Sequence, residues 1–536
     1  MRRLLGTCGA GTVLLIFSLG LLAQQISPAT RISGPIDEAR LAVLSGNTHP
    51  SVRSQFERGP ALPDLPSSHM LLVLKRSPQQ DGALRTFLDS QQDRNSPNYH
   101  AWLTPDQFGQ QFGPSDQDVL TITSWLTSHA FQVDRVSRGR TIIEFSGTAG
   151  QIQGAFHTEI RKYRVNGNDY WANSTDPAIP VALAPVVAGI VSLHNFPKKP
   201  LHYIPASSTG RKHFASSTYS PLLPNPLFDR SGGCGLNGTV CYDVSPYDLA
   251  TIYNILPLWN ASTPIDGTGQ HIAIVGQSDI YPPDVDDFHA SFGLPPPHVN
   301  IIHNGADPGY RAQTDETESD LDVEWASSIA KGATIDLVVS ASTNTTAGVD
   351  LSAEYIVENN LAPVLSESYG ACELEMGRAG NLFYQQLWQQ AAAQGITVFV
   401  STGDSGSAVC DQNAPNVTQG LSVNGIASTP YNVAVGGTDF NDLQNPSAYW
   451  NPLSAQDPTT QLSVKSYIPE MAWNNTCTNS EFFQFTSKTD AESDCNYNSS
   501  VFSPAFLAPV AGSGGMSNCT APTGTSSSTC SGGYAK

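Results

Sequence analysis

The chain has 536 residues, too many for one ordinary domain and enough for two or three. Its formal net charge is −20, and nearly all the excess acid lies beyond residue 197, which argues against nucleic acid as a partner and suits an acidic medium, where partial protonation lowers self-repulsion. Eight of the nine cysteines follow residue 233, with no CxxC pair and no HExxH anywhere, so structural zinc is disfavoured and disulfides fit an exported protein.

Residues 1–23 carry Arg2 and Arg3, an apolar run from Val13 to Leu22, and then Ala23, the order of a secretory signal. No other segment approaches the ~18 continuous apolar residues of a membrane span. The expectation is a secreted, extracellular protein with no membrane partner. Residues 35–197 alternate strand-like stretches (70–77, 131–139, 140–147 and 156–164) with helical ones (81–92 and 116–131), a compact α+β module without a catalytic constellation. From 198 to 231 the chain turns rich in Pro, Ser and basic residues with no sustained periodicity, the character of an exposed linker open to nicking. A module, a linker that can be cut and an acidic exported domain form the layout of a zymogen, although a plain two-domain protein has the same layout. From 232 to 536 strands such as HIAIVGQ (271–277), TIDLVVS and ITVFVS alternate with helical stretches, and YNVAVGGTDF reads as one further strand. This is the pattern of an α/β domain with a parallel sheet flanked by helices, whose function collects where strands end. Plausible local disulfides are Cys234 with Cys241, Cys372 with Cys410, Cys477 with Cys495 and Cys519 with Cys530.

The stretch DETESDLDVEWASSIA (315–330) is the chemical centre of this reading. At about 100° per residue, Leu321, Trp325 and Ile329 form one apolar stripe that includes Glu318 and Asp322, while Glu316, Asp320 and Glu324 fall on the opposite, solvated side. Val323 also lands on that opposite side. Two inward carboxylates one turn apart are costly unless hydrogen-bonded or protonated, which is how an acid/base pair is made. An acid-rich helix entrance answered by buried cations is the plainer alternative. Two loops stand at strand ends: Ser368-Tyr369-Gly370 and Gly403-Asp404-Ser405-Gly406. The second resembles one turn of an aspartic peptidase, but the chain has no second apolar-Asp-Thr/Ser-Gly turn. A Ser-His-Asp hydrolase lacks its GxSxG elbow, and Asp279 has no visible His partner. Gly524-Thr525-Ser526 lies in a Ser/Thr-rich loop with no apolar helix behind it to hold the serine.

Taken together, SPNYHAWLTPDQFGQQFGPS in the N-terminal module, and SPYDLATIYN, ETESDLDVEW, SESYGACE, VFVSTGDSGS, AVGGTDF and PEMAWN after the linker, resemble the sedolisins, the serine-carboxyl peptidases of family S53, with an activation prodomain of the kumamolisin type. The resemblance implies a subtilisin-like fold and a zymogen whose prodomain (35–197) is its intramolecular inhibitor. It implies a catalytic domain (232–536) that cuts polypeptide substrates at acidic pH. By the same resemblance Glu318 is the general base for a serine nucleophile, Asp322 orients it, Asp404 donates to the oxyanion, and Ser368, Tyr369 and Gly370 line the substrate cleft. The family's serine lies in a Gly-Thr-Ser-x-x-x-Pro loop, with calcium ligands further on. GTSSSTC has no Pro at that offset, so the resemblance implies a chain that stops short of both its nucleophile and its calcium site. The second reading is a non-catalytic secreted homologue that binds peptides or a partner.

Overall fold

The computed structural model of the chain describes residues 28–200, 244–311, 313–412, 417–442, 445–480, 483–501 and 509–517, with the short pairs 230–231 and 240–241. The signal-like residues 1–23, most of the linker, Cys234, Cys519, Cys530 and Gly524-Thr525-Ser526 lie outside them.

The N-terminal module is an α+β unit. Strands β1 (Pro66–Leu74), β2 (Gln132–Val136), β3 (Ile142–Thr148) and β4 (Val187–Ile190) form an antiparallel sheet in the order β2-β3-β1-β4. One face carries Met70, Leu72, Leu74, Ile143 and Phe145 against Trp125, Ile152 and Phe156, all in one buried cluster. Helices α1 (Pro78–Gln92), α2 (Pro105–Phe112), α3 (Asp116–Ser128) and α4 (Ala149–Phe156) start on local signals. Ser77 with Gln80, Thr104 with Gln107 and Thr148 with Gln151 form reciprocal capping boxes, and proline occupies the first turn of α1 and α2. Each box satisfies two amide donors that a helix start leaves over, and its Ser or Thr is worth about 1 kcal/mol. Helix α4 falls within the stretch that the sequence reads as loop and strand. Its start signal, Thr148 followed by Gln151, was present in the sequence.

After the short strand β5 (Lys199–Pro200) the larger unit begins. Six parallel strands, β6 (His271–Gly276), β7 (His298–His303), β8 (Thr334–Val339), β9 (Val364–Glu367), β11 (Thr397–Ser401) and β12 (Val433–Val435), lie in the order β7-β8-β6-β9-β11-β12. The two-residue strand β10 (Tyr369–Gly370) follows β9. Alternate side chains go to opposite faces. Ala273 and Val275 of β6 join α7 (Gly348–Glu358) and α8 (Glu373–Gln394) on one face. Ile274 goes to the other face, with Val285 of α5 (Pro282–Ser291) and Val323 of α6 (Gln313–Ile329). The expected parallel sheet covered by helices on both faces is therefore present. The stretch 431–440 is not one strand, because the chain bends away after Val435 and Thr438–Phe440 pairs instead with Glu470–Ala472. Gly436 and Gly437 make the bend, and a Cβ on Gly437 would press on the Trp473 side chain at 3.0 Å. Disulfides join Cys372 to Cys410 and Cys477 to Cys495, as the spacing suggested.

The N-terminal module sits on α7 and α8. Leu71, Val73, Ile142 and Val191 belong to the same buried cluster as Phe383, Tyr384, Leu387 and Trp388. Polar clamps frame this contact. Arg135 bridges Glu144 in its own module (2.7 Å) and Glu354 on α7 (2.8 Å), and the Gly139 amide donates to Glu358. Gln91 donates to the Ala393 carbonyl, and Arg76 to Gln389.

Candidate active site

Helix α6 does not face the sheet as the apolar stripe suggested. Leu321 is 42% exposed and Trp325 and Ile329 only half-buried, while Ser319, Val323 and Ser327 are buried and Ala326 packs with Val323. A mostly small-residue face lets the helix lie close to the sheet, with the Ser319 hydroxyl 3.5 Å from where a Cβ on Gly276 would stand. The core-facing arc is thus rotated from the expected one by roughly a third of a turn. Glu318 and Asp322 flank one edge of this arc, Glu318 at 4% exposure and Asp322 half-buried. Asp320 and Glu324 flank the other edge, and they are not solvated acids. Burial, with Asp284 and Glu316 nearby, pushes Asp320 up to about 7, and burial, with Asp320 and Asp284, pushes Glu324 up to about 8.

Strand order brings the two loops together. β9 and β11 are neighbours, with Glu367 opposite Val400, so Ser368 and the 403–406 turn leave the same end of the sheet. The Ser368 hydroxyl donates to the Asp322 carboxylate at 2.7 Å, joining the helix pair to the cleft edge. Tyr369 is fully buried. Burial, together with Asp315, Glu318 and Asp322, holds its phenol well above its ordinary value, and its hydroxyl donates to the Asp315 carbonyl at 3.4 Å. Asp404 sits half-buried in a turn between Gly403 and Gly406, both with positive φ, where glycine costs nothing. The turn is held from outside: the Ala511 amide donates to the Asp404 carbonyl (2.9 Å), the Ser513 amide to Gly403, and the Ser513 hydroxyl accepts from the Ser405 amide.

A peptide strand already lies along this edge. Lys199 and Pro200 of β5 pair antiparallel with Gly370 and Tyr369 of β10, next to Ser368 and its bond to Asp322. The chain leaving the N-terminal module therefore occupies the strand that the sequence resemblance assigned to substrate.

Residues 56–196 match the family described as Pro-kumamolisin, activation domain. The chain is 27% identical over 380 residues to sedolisin of Pseudomonas sp. (strain 101), covering 69% of this chain and 60% of that protein. It is 27% identical over 403 residues to xanthomonalisin of Xanthomonas sp. (strain T-22), covering 70% and 45%. Kumamolisin of Bacillus sp. (strain MN-32) matches at 25% over 410 residues, covering 75% and 67%. The chain is similar to the sedolisins over most of its length. It spans 60% and 45% of the first two of these relatives, less than two thirds of each. A solved structure of Pseudomonas sedolisin, a serine-carboxyl proteinase complexed with pseudo-iodotyrostatin, aligns at 24% identity and TM-score 0.32, over 46% of this chain and 67% of that one.

Two residues that the sequence did not single out hold these loops in place. Asn424 donates to the Ser401 carbonyl (2.8 Å) and accepts from the Ala371 amide, tying the two loops together, and Ser513 braces the Asp404 turn. Neither belongs to a motif, and the Asn424-Gly425 pair was the one local signal available. Among the described residues, the side-chain groups that could hold a cation are His69 with Asp134 and Glu144, and Asp279 with His303 and Asp307. Each includes an imidazole, whereas calcium takes oxygen ligands, so neither fits the calcium that the resemblance implies. No helix among the described residues is long and apolar enough to cross a membrane.

Proposed function

We propose that the chain is the precursor of a secreted serine-carboxyl endopeptidase that cuts polypeptides in acid. The observation that carries this reading is the pairing of Lys199–Pro200 on Tyr369–Gly370 beside the Ser368–Asp322 hydrogen bond: the site holds its own prodomain's tail as it would hold a peptide.

In the proposed chemistry Glu318 accepts the proton of a serine hydroxyl as that oxygen attacks the scissile carbonyl, and Asp322 fixes the position of Glu318. The protonated Asp404 carboxyl donates to the oxyanion and must stay neutral to do so. Glu318 then returns its proton to the leaving amine, and water releases the acyl group by the same steps in reverse order. The nucleophile would be the serine of a Gly-Thr-Ser-x-x-x-Pro loop, a pattern that Gly524-Thr525-Ser526 does not complete. Calcium would belong to the complete domain and takes no part in these steps. Release of the prodomain and cutting of the 198–231 linker would uncover the cleft.

The test is peptide hydrolysis by the secreted product of the whole gene between pH 3 and 7, alongside Glu318→Gln and Asp404→Asn. Hydrolysis in acid that falls by about a thousandfold or more in each variant is expected. Full turnover by Glu318→Gln would refute the assignment of the base. A folded product that binds peptides and never cuts them would make it a binding protein.

A further inference from the structure

Lys198 belongs to the Pro-Lys-Lys-Pro stretch that opens the linker, where a lysine is normally solvated. It is instead 9% exposed, with its ammonium on the carboxylate of Asp350 and 5.1 Å from the centre of the Tyr384 ring. Asp350 on α7 is 0% exposed and Glu367 at the end of β9 is 1% exposed. The single hydroxyl proton of Tyr384 serves both, at 2.6 Å from Asp350 and 3.3 Å from Glu367. The second oxygen of each carboxylate makes no hydrogen bond. This pocket sets two buried acids against one cation, and removing the cation leaves the Asp350 carboxylate uncompensated in a low-dielectric interior.

The backbone above the pocket belongs to the cleft. Gln277 donates to the Lys198 carbonyl at 3.1 Å, and the next two residues pair with Gly370 and Tyr369. Once the linker leaves, any peptide lying on Tyr369–Gly370 in the same register presents to the pocket the side chain one residue before its Gly370 partner. A norleucine there would fill the volume and leave the Asp350 carboxylate without its cation, and a glutamate would set a further acid beside Asp350 and Glu367, so the site discriminates by charge.

We propose that the Asp350–Glu367–Tyr384 pocket is a substrate subsite that selects a lysine side chain one residue before the residue paired with Gly370, with Lys198 as its resident occupant in the precursor. This rests on the peptidase reading above and adds the substrate class to it.

Two measurements separate the claims. The first uses the full chain with Lys198→Ala and reads the thermal midpoint with n-butylammonium or n-butanol at equal concentration. A rise of several degrees with the ammonium alone, absent in the unaltered chain, is expected, and equal responses to the two probes overturn the cation pocket. The second gives the secreted, acid-processed product of the whole gene peptides of sequence Pro-Xaa-Lys-Pro-Leu in a longer frame, with Xaa lysine, norleucine or glutamate. Lysine is expected to exceed norleucine in kcat/KM by about tenfold or more, and Asp350→Asn to erase that preference. Cleavage without preference overturns the subsite and leaves the peptidase reading standing. An ammonium-specific midpoint shift with no peptide cut overturns the peptidase reading and the subsite with it, leaving the pocket as an anchor for the linker.

Discussion

At Asp320 and Glu324, the helix that carries Glu318 and Asp322 holds a second pair of carboxyls, raised by burial to about 7 and about 8. Their folded values lie above those of an unfolded chain, so the folded protein binds more protons between about pH 4 and pH 8 and loses stability as pH rises through that window. Glu324→Gln removes the ionisable group and keeps its shape. It is expected to raise stability at pH 8 by on the order of 1–3 kcal/mol and to change little at pH 4, read from urea unfolding at the two pH values. A midpoint at pH 8 no higher than that of the unaltered chain would contradict the burial of this acid. The sequence picked out Glu318 and Asp322 as inward members of an apolar stripe, and in the structure Glu318 is buried and Asp322 accepts from Ser368, although that stripe is not the face that meets the sheet. It mistook which side of the helix meets the sheet, because Ser319, Ala326 and Ser327 do not register as an apolar face while Leu321 and Trp325 do.

Between elements, the contact of the N-terminal module with α7 turns on Arg135. Burial, against the opposing charge of Arg135 and with Glu358 adding to it, raises Glu354 to about 8. Arg135→Met would strand Glu354 in the interface and weaken it by about 2–4 kcal/mol at pH 8. The loss should shrink by pH 5, well below the value near 8 at which Glu354 takes its proton, and separation of the two units after the linker is cut measures it. A loss of the same size at both pH values would mean that Arg135 acts by packing alone. The C-terminus of α8 offers a test free of charge. Gly395 caps this helix at φ +82°, and a Cβ there would come within 2.7 Å of the Trp102 ring of the N-terminal module. Gly395→Ala should therefore both strain the cap and push the modules apart, costing about 1–3 kcal/mol, whereas an exposed cap of the same geometry would show only the strain.

Across the molecule the raised carboxyls share one leading cause. Burial first, and neighbouring acids in several cases, raise Glu358, Glu367, Asp439 and Asp442 as well as Glu354, Asp320 and Glu324, and Glu375 reaches about 7. Others oppose this at lower pH. Burial would raise Glu144, but the His69 hydrogen bond and the Arg135 charge outweigh it, and the amides of Gln419 and Thr418 do the same for Asp411. The stability held by these depressed groups is lost as pH falls below the ordinary carboxylate range. The urea midpoint of the whole chain should accordingly rise from pH 8 to about pH 5 and fall again below about pH 4, and a monotonic profile would contradict this balance. Strand and helix alternation, the disulfides within 372–410 and 477–495, and the two Gly-rich loops were legible because each depends on neighbours close in sequence. Lys198 was not: a lysine between prolines looks solvated until Asp350 and Glu367, more than a hundred residues away, close around it. The helices beneath the N-terminal module show the same kind of distant fit. Their covered face carries Glu354, Glu358, Gln389 and Gln390, all buried against the N-terminal module in the precursor. Amides and carboxyls of this sort exchange one set of hydrogen bonds for another at little net cost once water reaches them. Lifting the cover therefore bares groups that water can satisfy around an apolar centre where Leu71, Val73, Ile142 and Val191 meet the cluster of Phe383 and Leu387, so the seam is composed half as a surface and half as a core.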